Sequence, residues 1–137
     1  MASISAIVAV GFAGIRSLIP NVLFEPSRLF KAGHPRDYPD GASTFIEEVR
    51  IYIVRRNNQF KAVSAVCPHL GCTVNNVHGE YPFLCPCHGS HFDNQGAVVN
   101  GPSPRGLIWL HVSLSKDGRL VVDLDQEVNP DTVYVYS

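Results

Sequence analysis

Two short segments, Cys67-Pro68-His69-Leu70-Gly71-Cys72 and Cys85-Pro86-Cys87-His88-Gly89-Ser90, constrain this chain more than any other feature of it. Each offers a thiol and an imidazole, in the pattern Cys-x-His, fifteen residues, then Cys-x-x-His. All four cysteines fall within the twenty-one residues from Cys67 to Cys87, which is not how a chain-wide disulfide framework is spread. They belong to one local site that two loops build together.

Two metal chemistries use two Cys and two His. One is tetrahedral zinc, whose usual spacings pair Cys-x₂₋₄-Cys with His-x₃₋₅-His. Those spacings are not met here, and zinc leaves Cys72 and Cys87 unexplained. The other is a [2Fe–2S] cluster in which one iron takes two thiolates and the second two imidazoles. Replacing two anionic ligands by neutral ones eases reduction and moves the potential from about −400 mV to roughly −150 to +300 mV.

The surroundings point to an all-β head. At 137 residues the chain suits one domain, and ten prolines and eleven glycines against 9% aromatic residues fit short strands joined by shaped loops. The formal charge of −1, without a block of like charges, offers no basic stripe for nucleic acid. Phe45, Val49, Ile51 and Ile53, then Phe60, Ala62, Val63, Ala65 and Val66, make two strand-like runs around the turn-tolerant Asn57-Asn58. A second hairpin is expected where Leu107–Leu114 and Leu120–Leu124 flank Lys116-Asp117-Gly118-Arg119, and a further strand at Thr132–Tyr136. Between the hairpins lies the cysteine-rich insert, from Cys67 to about Arg105.

The first residues read differently. Met1–Ile15 carries no charge and would reach roughly 22 Å as a helix, against a roughly 30 Å hydrocarbon core. Gly11, Gly14 and several Ala and Ser residues suit close helix packing in lipid, and a positive segment of the kind that opens a secretory signal is lacking. An N-terminal membrane-anchor helix over 1–19 is therefore expected, with a buried helix or a structureless tail as alternatives. Pro20, Pro26, Pro35 and Pro39 then predict an extended tether over 20–42, and the head is expected over 43–137.

The two Cys/His boxes resemble those of Rieske iron–sulfur proteins, over about ninety residues from Ser43 to the C-terminus. The resemblance implies an antiparallel β-sandwich with a small cluster-binding subdomain. It implies Cys67 and Cys85 on one iron, His69 and His88 on the other through Nδ1, and a Cys72–Cys87 disulfide joining the loops. Ser90 stands where the family places a hydroxyl that donates to a bridging sulfide, and such donors raise the potential. Gly101-Pro102-Ser103-Pro104-Arg105 resembles the loop that covers the cluster. Two positions depart from many quinol-oxidising members: Phe92 replaces a tyrosine that donates to a ligand sulfur, and Pro68 replaces a threonine. The lost donor at Phe92 predicts a lower potential, suited to a quinol such as menaquinol. His34, His78, His91 and His111 lack ligand spacing and are expected to be surface or packing residues.

By resemblance the function is electron transfer from a membrane quinol to a cytochrome, as a subunit of a quinol–cytochrome c reductase. Its partners would be a cytochrome b-type subunit and a cytochrome c-type acceptor, with the head on the periplasmic or extracytoplasmic side and His88 as the quinol contact. Taking up an electron beside the imidazoles favours taking up a proton, so the potential should fall at alkaline pH. The alternative is the Rieske small subunit of a molybdenum oxidoreductase such as an arsenite oxidase. A carrier for an oxygenase is disfavoured by the second cysteine pair, which the Rieske modules of aromatic-ring dioxygenases typically lack.

Overall fold

The structure is a computed structural model that describes residues 28–137. The expected anchor helix, and the first part of the expected tether, lie outside the described residues. Among the described residues no helix is long and apolar enough to cross a membrane.

Two antiparallel sheets make up the domain. The larger contains β1 (Leu29–Gly33), β2 (Ser43–Ile46), β3 (Ile51–Arg56), β4 (Gln59–Ser64), β9 (Trp109–Leu114), β10 (Leu120–Val128) and β11 (Tyr134–Val135). Its order is β1-β10-β9-β4-β3-β2, and β11 also pairs with β4. The smaller holds β5 (Asn75–Asn76), β6 (Phe83–Cys85), β7 (Ser90–Phe92) and β8 (Val98–Asn100) in sequence order. The chain enters the smaller sheet after β4 and returns at β9, so the cysteine-bearing insert is a subdomain set between two hairpins of the base.

Both hairpins form where turn chemistry places them. Asn57 takes φ +54 between β3 and β4, a left-handed conformation that Asn tolerates. Between β9 and β10, Gly118 takes φ +76 and returns its N–H to Ser115 O at 2.9 Å.

Strand periodicity then divides the interior in two. Ile51, Ile53, Phe60, Ala62, Leu110 and Val112 point to one face of the large sheet and meet Tyr38, Leu120 and Val122. The intervening Tyr52, Val63 and Trp109 point to the other face and meet Phe83, Phe92, Cys67 and Cys85 of the insert. The central strands are covered on both faces, which is why Ile51-Tyr52-Ile53 is continuously apolar instead of alternating.

Two expectations change. From residue 28 onward the tether is part of the domain: β1 pairs with β10, with Leu29 opposite Asp123. Tyr38 is 3% exposed in the core and donates its hydroxyl to Ala32 O. Pro35 opens a single 3₁₀ turn over Pro35–Asp37, so the prolines shape a turn here and do not stiffen a spacer. The first strand-like run, Phe45 to Ile53, is also two strands, β2 and β3, with a turn over residues 47–50 in which Arg50 takes φ +51.

Candidate metal centre

The first loop leaves the base sheet at Cys67 and returns after Cys72, closed by an isolated bridge between Val66 and Thr73. Cys67 N–H donates to Cys72 O at 2.8 Å and Gly71 N–H to Cys67 O at 2.9 Å. The second loop joins β6 to β7 and closes in the same way, with Gly89 N–H donating to Cys85 O at 3.1 Å. In each loop the amide four residues after a buried cysteine returns to that cysteine's carbonyl. Each closing residue is a glycine with positive φ, +79 at Gly71 and +71 at Gly89, which other L-residues adopt at a cost.

Cys72 and Cys87 form a disulfide with Cα atoms 6.6 Å apart, so the two loops are covalently one unit. Cys67 and Cys85 are free and buried. Burial pushes the Cys67 thiol up, and the neighbouring Cys85 adds to the rise, while the backbone N–H groups of His69 and Leu70 act in the opposite sense. Those two donors favour the thiolate over the thiol, as a metal-binding sulfur requires. The Sγ atoms of Cys72, Cys85 and Cys87 lie within 4.8 Å of one another, but two of the three are joined in the disulfide. The thiols left to bind metal are Cys67 and Cys85.

The imidazoles lie on the outer side. His69 and His88 meet edge to face with ring centroids 4.8 Å apart; His69 is half-buried and His88 exposed. The buried thiol pair and the outer imidazole pair thus come from both loops alike, two donors of each kind. That donor set suits a cluster with chemically distinct irons, and it leaves the disulfide sulfurs out of coordination. Leu70, between His69 and Gly71, is 70% exposed.

Behind the tip, Ser90 is fully buried at the start of β7, and its Oγ accepts Ser103 N–H at 3.2 Å. Ser103 donates its own hydroxyl to Arg105 O at 2.9 Å. The loop Gly101–Arg105 is thereby fastened over the second cysteine loop, with Gly101 and Pro102 exposed. Phe92 is fully buried opposite Phe83 in the β6–β7 pair. Of the remaining histidines, His34 bonds Gly118 O through Nδ1 at 3.1 Å, His91 faces Leu84 and Asn100 in β7, and His111 lies opposite Asp123 in β9.

A family model of the Rieske [2Fe–2S] domain matches residues 28–121, more than half of the chain. The chain belongs to the Rieske [2Fe–2S] domain family. Its cofactor is accordingly a [2Fe–2S] cluster, which the thiol and imidazole pairs fit. This Rieske domain is 33% identical, over 86% of its length and 68% of the relative's, to a cytochrome b6-f complex iron–sulfur subunit of Chlorobaculum thiosulfatiphilum. It is 47% identical over 73 residues to the chloroplastic cytochrome b6-f complex iron–sulfur subunit of Fritillaria agrestis, covering 51% of this chain and 32% of that one. The chain therefore spans only about a third of the length of the Fritillaria relative. Among solved structures it resembles the cyanobacterial plasma membrane Rieske protein PetC3 from Synechocystis PCC 6803, with a TM-score of 0.51 and 28% identity over 68% of this chain and 97% of that one.

Two residues that touch the Rieske loops had no assigned role in the sequence. Ser103 was legible only as part of a proline-rich loop, with nothing to distinguish its amide from its neighbours'. Arg50, whose guanidinium Nη2 donates to Gly71 O at 2.6 Å, lies twenty-one residues earlier and carries no periodic or motif signal.

Proposed function

We propose that this chain is the electron-transfer subunit of a membrane quinol–cytochrome oxidoreductase, carrying electrons one at a time from a quinol to a cytochrome. The carrying observation is the exposed His88 ring, set edge-on against His69 beside an exposed Leu70. A polar contact flanked by apolar surface is what docking of an amphipathic quinol against a partner subunit needs. Both relatives described above are named as iron–sulfur subunits of cytochrome b6-f complexes, which supports the same reading.

In this reading Cys67 and Cys85 bind one iron, and His69 and His88 the other through Nδ1, leaving each Nε2 at the surface. When bound, the cluster supplies a one-electron acceptor of raised potential. His88 Nε2 hydrogen-bonds the quinol hydroxyl and takes its proton as the electron leaves. Ser90 Oγ accepts from Ser103 N–H, which leaves its own proton available to donate to a sulfide of the bound cluster. Phe92 offers no donor, which places the potential in the lower part of the range and matches a quinol such as menaquinol. The disulfide holds the two loops at a fixed separation while the tip docks. Residues 1–19 serve as the anchor and 20–27 as the tether, with the head on the extracytoplasmic side between a cytochrome b-type subunit and a cytochrome c-type acceptor.

Purification of the full chain from membranes, followed by redox titration from neutral to alkaline pH, tests the proposal. A co-purifying cytochrome b and a potential that falls as pH rises are expected. A molybdopterin subunit in its place, or a pH-independent potential, overturns the quinol reading. Stoichiometric zinc without acid-labile sulfide overturns the cluster assignment itself.

A further inference from the structure

The turn between β2 and β3 ends on a residue whose backbone is held in an unfavourable region. Arg50 takes φ +51, with its N–H on Glu47 O at 3.3 Å and its carbonyl accepting Ala65 N–H at 2.8 Å. A non-glycine residue persists in the left-handed region when its surroundings over-determine it, and such sites concentrate where function needs them. Here the conformation sends the guanidinium to the first cysteine loop, where Nη2 donates to Gly71 O at 2.6 Å.

The charge of Arg50 is not balanced locally. Its Nε is buried and meets no acceptor, and none of the ion pairs among the described residues includes Arg50, although Glu47 and Glu48 lie next to it in sequence. Leaving a buried donor unmade is costly, and a guanidinium kept there without a carboxylate invites a countercharge from elsewhere. The loop it touches runs from Cys67 to Cys72 and includes His69.

A charge count identifies what would supply that countercharge. Two ferric ions, two sulfides, two thiolates and two neutral imidazoles sum to no net charge, and one added electron leaves a single negative charge. A fixed cation beside the loop therefore attracts the reduced form and gains little from the oxidised one. Arg50 is half-buried and Gly71 exposed, so solvent screens that difference in part and its expected size is modest.

We propose that Arg50 is a positioning residue that also acts electrostatically. It fixes the first cysteine loop through the Gly71 carbonyl, and its unpaired charge favours the reduced cluster. The inference rests on the cluster assignment but not on the identity of the quinol or of the partner subunits. It also gives the base sheet, and not only the insert, a part in setting the potential.

Cluster-loaded full-length protein carrying Arg50→Met or Arg50→Lys provides the test. Arg50→Met should lower the equilibrium constant for cluster reduction about threefold to tenfold, tenfold being 59 mV for a one-electron couple. Arg50→Lys should recover most of that loss, because it keeps the charge while giving up the planar fork. In the same preparations, amide exchange at Cys67 and Gly71 should be faster in Arg50→Met than in the unsubstituted protein. A loaded Arg50→Met with an unchanged potential overturns the electrostatic role, and unchanged exchange at both amides overturns the positioning. If Arg50→Met does not load, Arg50→Lys decides: a potential near that of the unsubstituted protein supports the proposal, and a tenfold fall despite the retained charge overturns it. Failure of the unsubstituted protein to show cluster absorption strikes at the cluster assignment and is thereby distinguished from failure of the Arg50 proposal.

Discussion

Gly101 rests directly on the backbone of Ser90: a β-carbon at Gly101 would stand 2.5 Å from Ser90 Cα and 2.9 Å from its nitrogen. That approach brings the covering loop close enough for Ser103 N–H to reach Ser90 Oγ. Gly101 also takes φ +99. Gly101→Ala therefore has to move main chain as well as accept strain, and is expected to cost at least about 2 kcal/mol in denaturant unfolding. Gly41→Ala is the control, since Gly41 takes φ +77 with nothing within 4 Å of the new carbon. It should cost only about 1 kcal/mol, and equal losses at the two sites would show that the contact with Ser90 does not matter.

Ser90→Ala removes the acceptor of a buried amide as well as the hydroxyl proposed to donate to the cluster. The stranded Ser103 N–H should cost about 1–3 kcal/mol of stability. The lost donor should lower the reduction potential, read by voltammetry on loaded protein. A stability loss with no change in potential would leave Ser90 a role in fastening the loop and remove the one toward sulfide.

Phe92→Tyr places a hydroxyl at a fully buried position opposite Phe83. An upward shift of the potential is expected if that hydroxyl reaches a ligand sulfur. The absence of any upward shift in a folded, loaded variant would sink the low-potential argument for menaquinol.

Reduction of the disulfide should release the two cysteine loops from each other. The bond closes a loop with a sequence separation of 15, for which chain-entropy reasoning gives about 3 kcal/mol. Cys87 is exposed, so a soluble phosphine should reach it, and the paired Cys72→Ser, Cys87→Ser variant should lose its cluster at a lower temperature. Identical bleaching temperatures would mean that the cluster alone holds the loops.

Acid should loosen β1 before the rest of the domain. Hydrogen bonds from Arg28 hold the Asp125 carboxyl below the usual range, and the Ser115 hydroxyl, followed by Lys31, does the same for Asp117. A carboxyl depressed in the folded state contributes stability that is present above its ordinary value of 3.8 and is lost as pH falls through the lowered one. Both carboxylates pair with cations on or beside β1, Arg28 at 2.7 Å and Lys31 at 3.4 Å. Amide exchange in Leu29–Gly33 should therefore rise at acid pH ahead of exchange in β3 and β4. Uniform loss of protection would contradict this.

Much of the site was legible because its chemistry is local. Six consecutive residues carry each Cys/His box, and the same glycine that follows the ligands closes the loop in both. The hairpins at Asn57 and at Asp117-Gly118 were legible for the same reason, since a turn and its flanking strands are neighbours in the chain. The segment from Leu29 to Tyr38 was not legible. Its pairing partner lies more than eighty residues away, and its prolines read as a spacer until β10 is there to receive β1. Nor does periodicity locate the turn over residues 47–50, because Phe45, Val49, Ile51 and Ile53 alternate as one strand would.

By itself, the sequence determined the donor set, two thiols and two imidazoles, the all-β character and the places where the chain turns back on itself. Each of these depends on residues a few positions apart, where the cost of bringing them together is small. The tertiary structure decided that β1 closes the edge of the large sheet, that Gly101 settles on Ser90, and that Arg50 reaches across to Gly71. Those contacts join distant residues, and only the burial of the two shared cores repays the order they require.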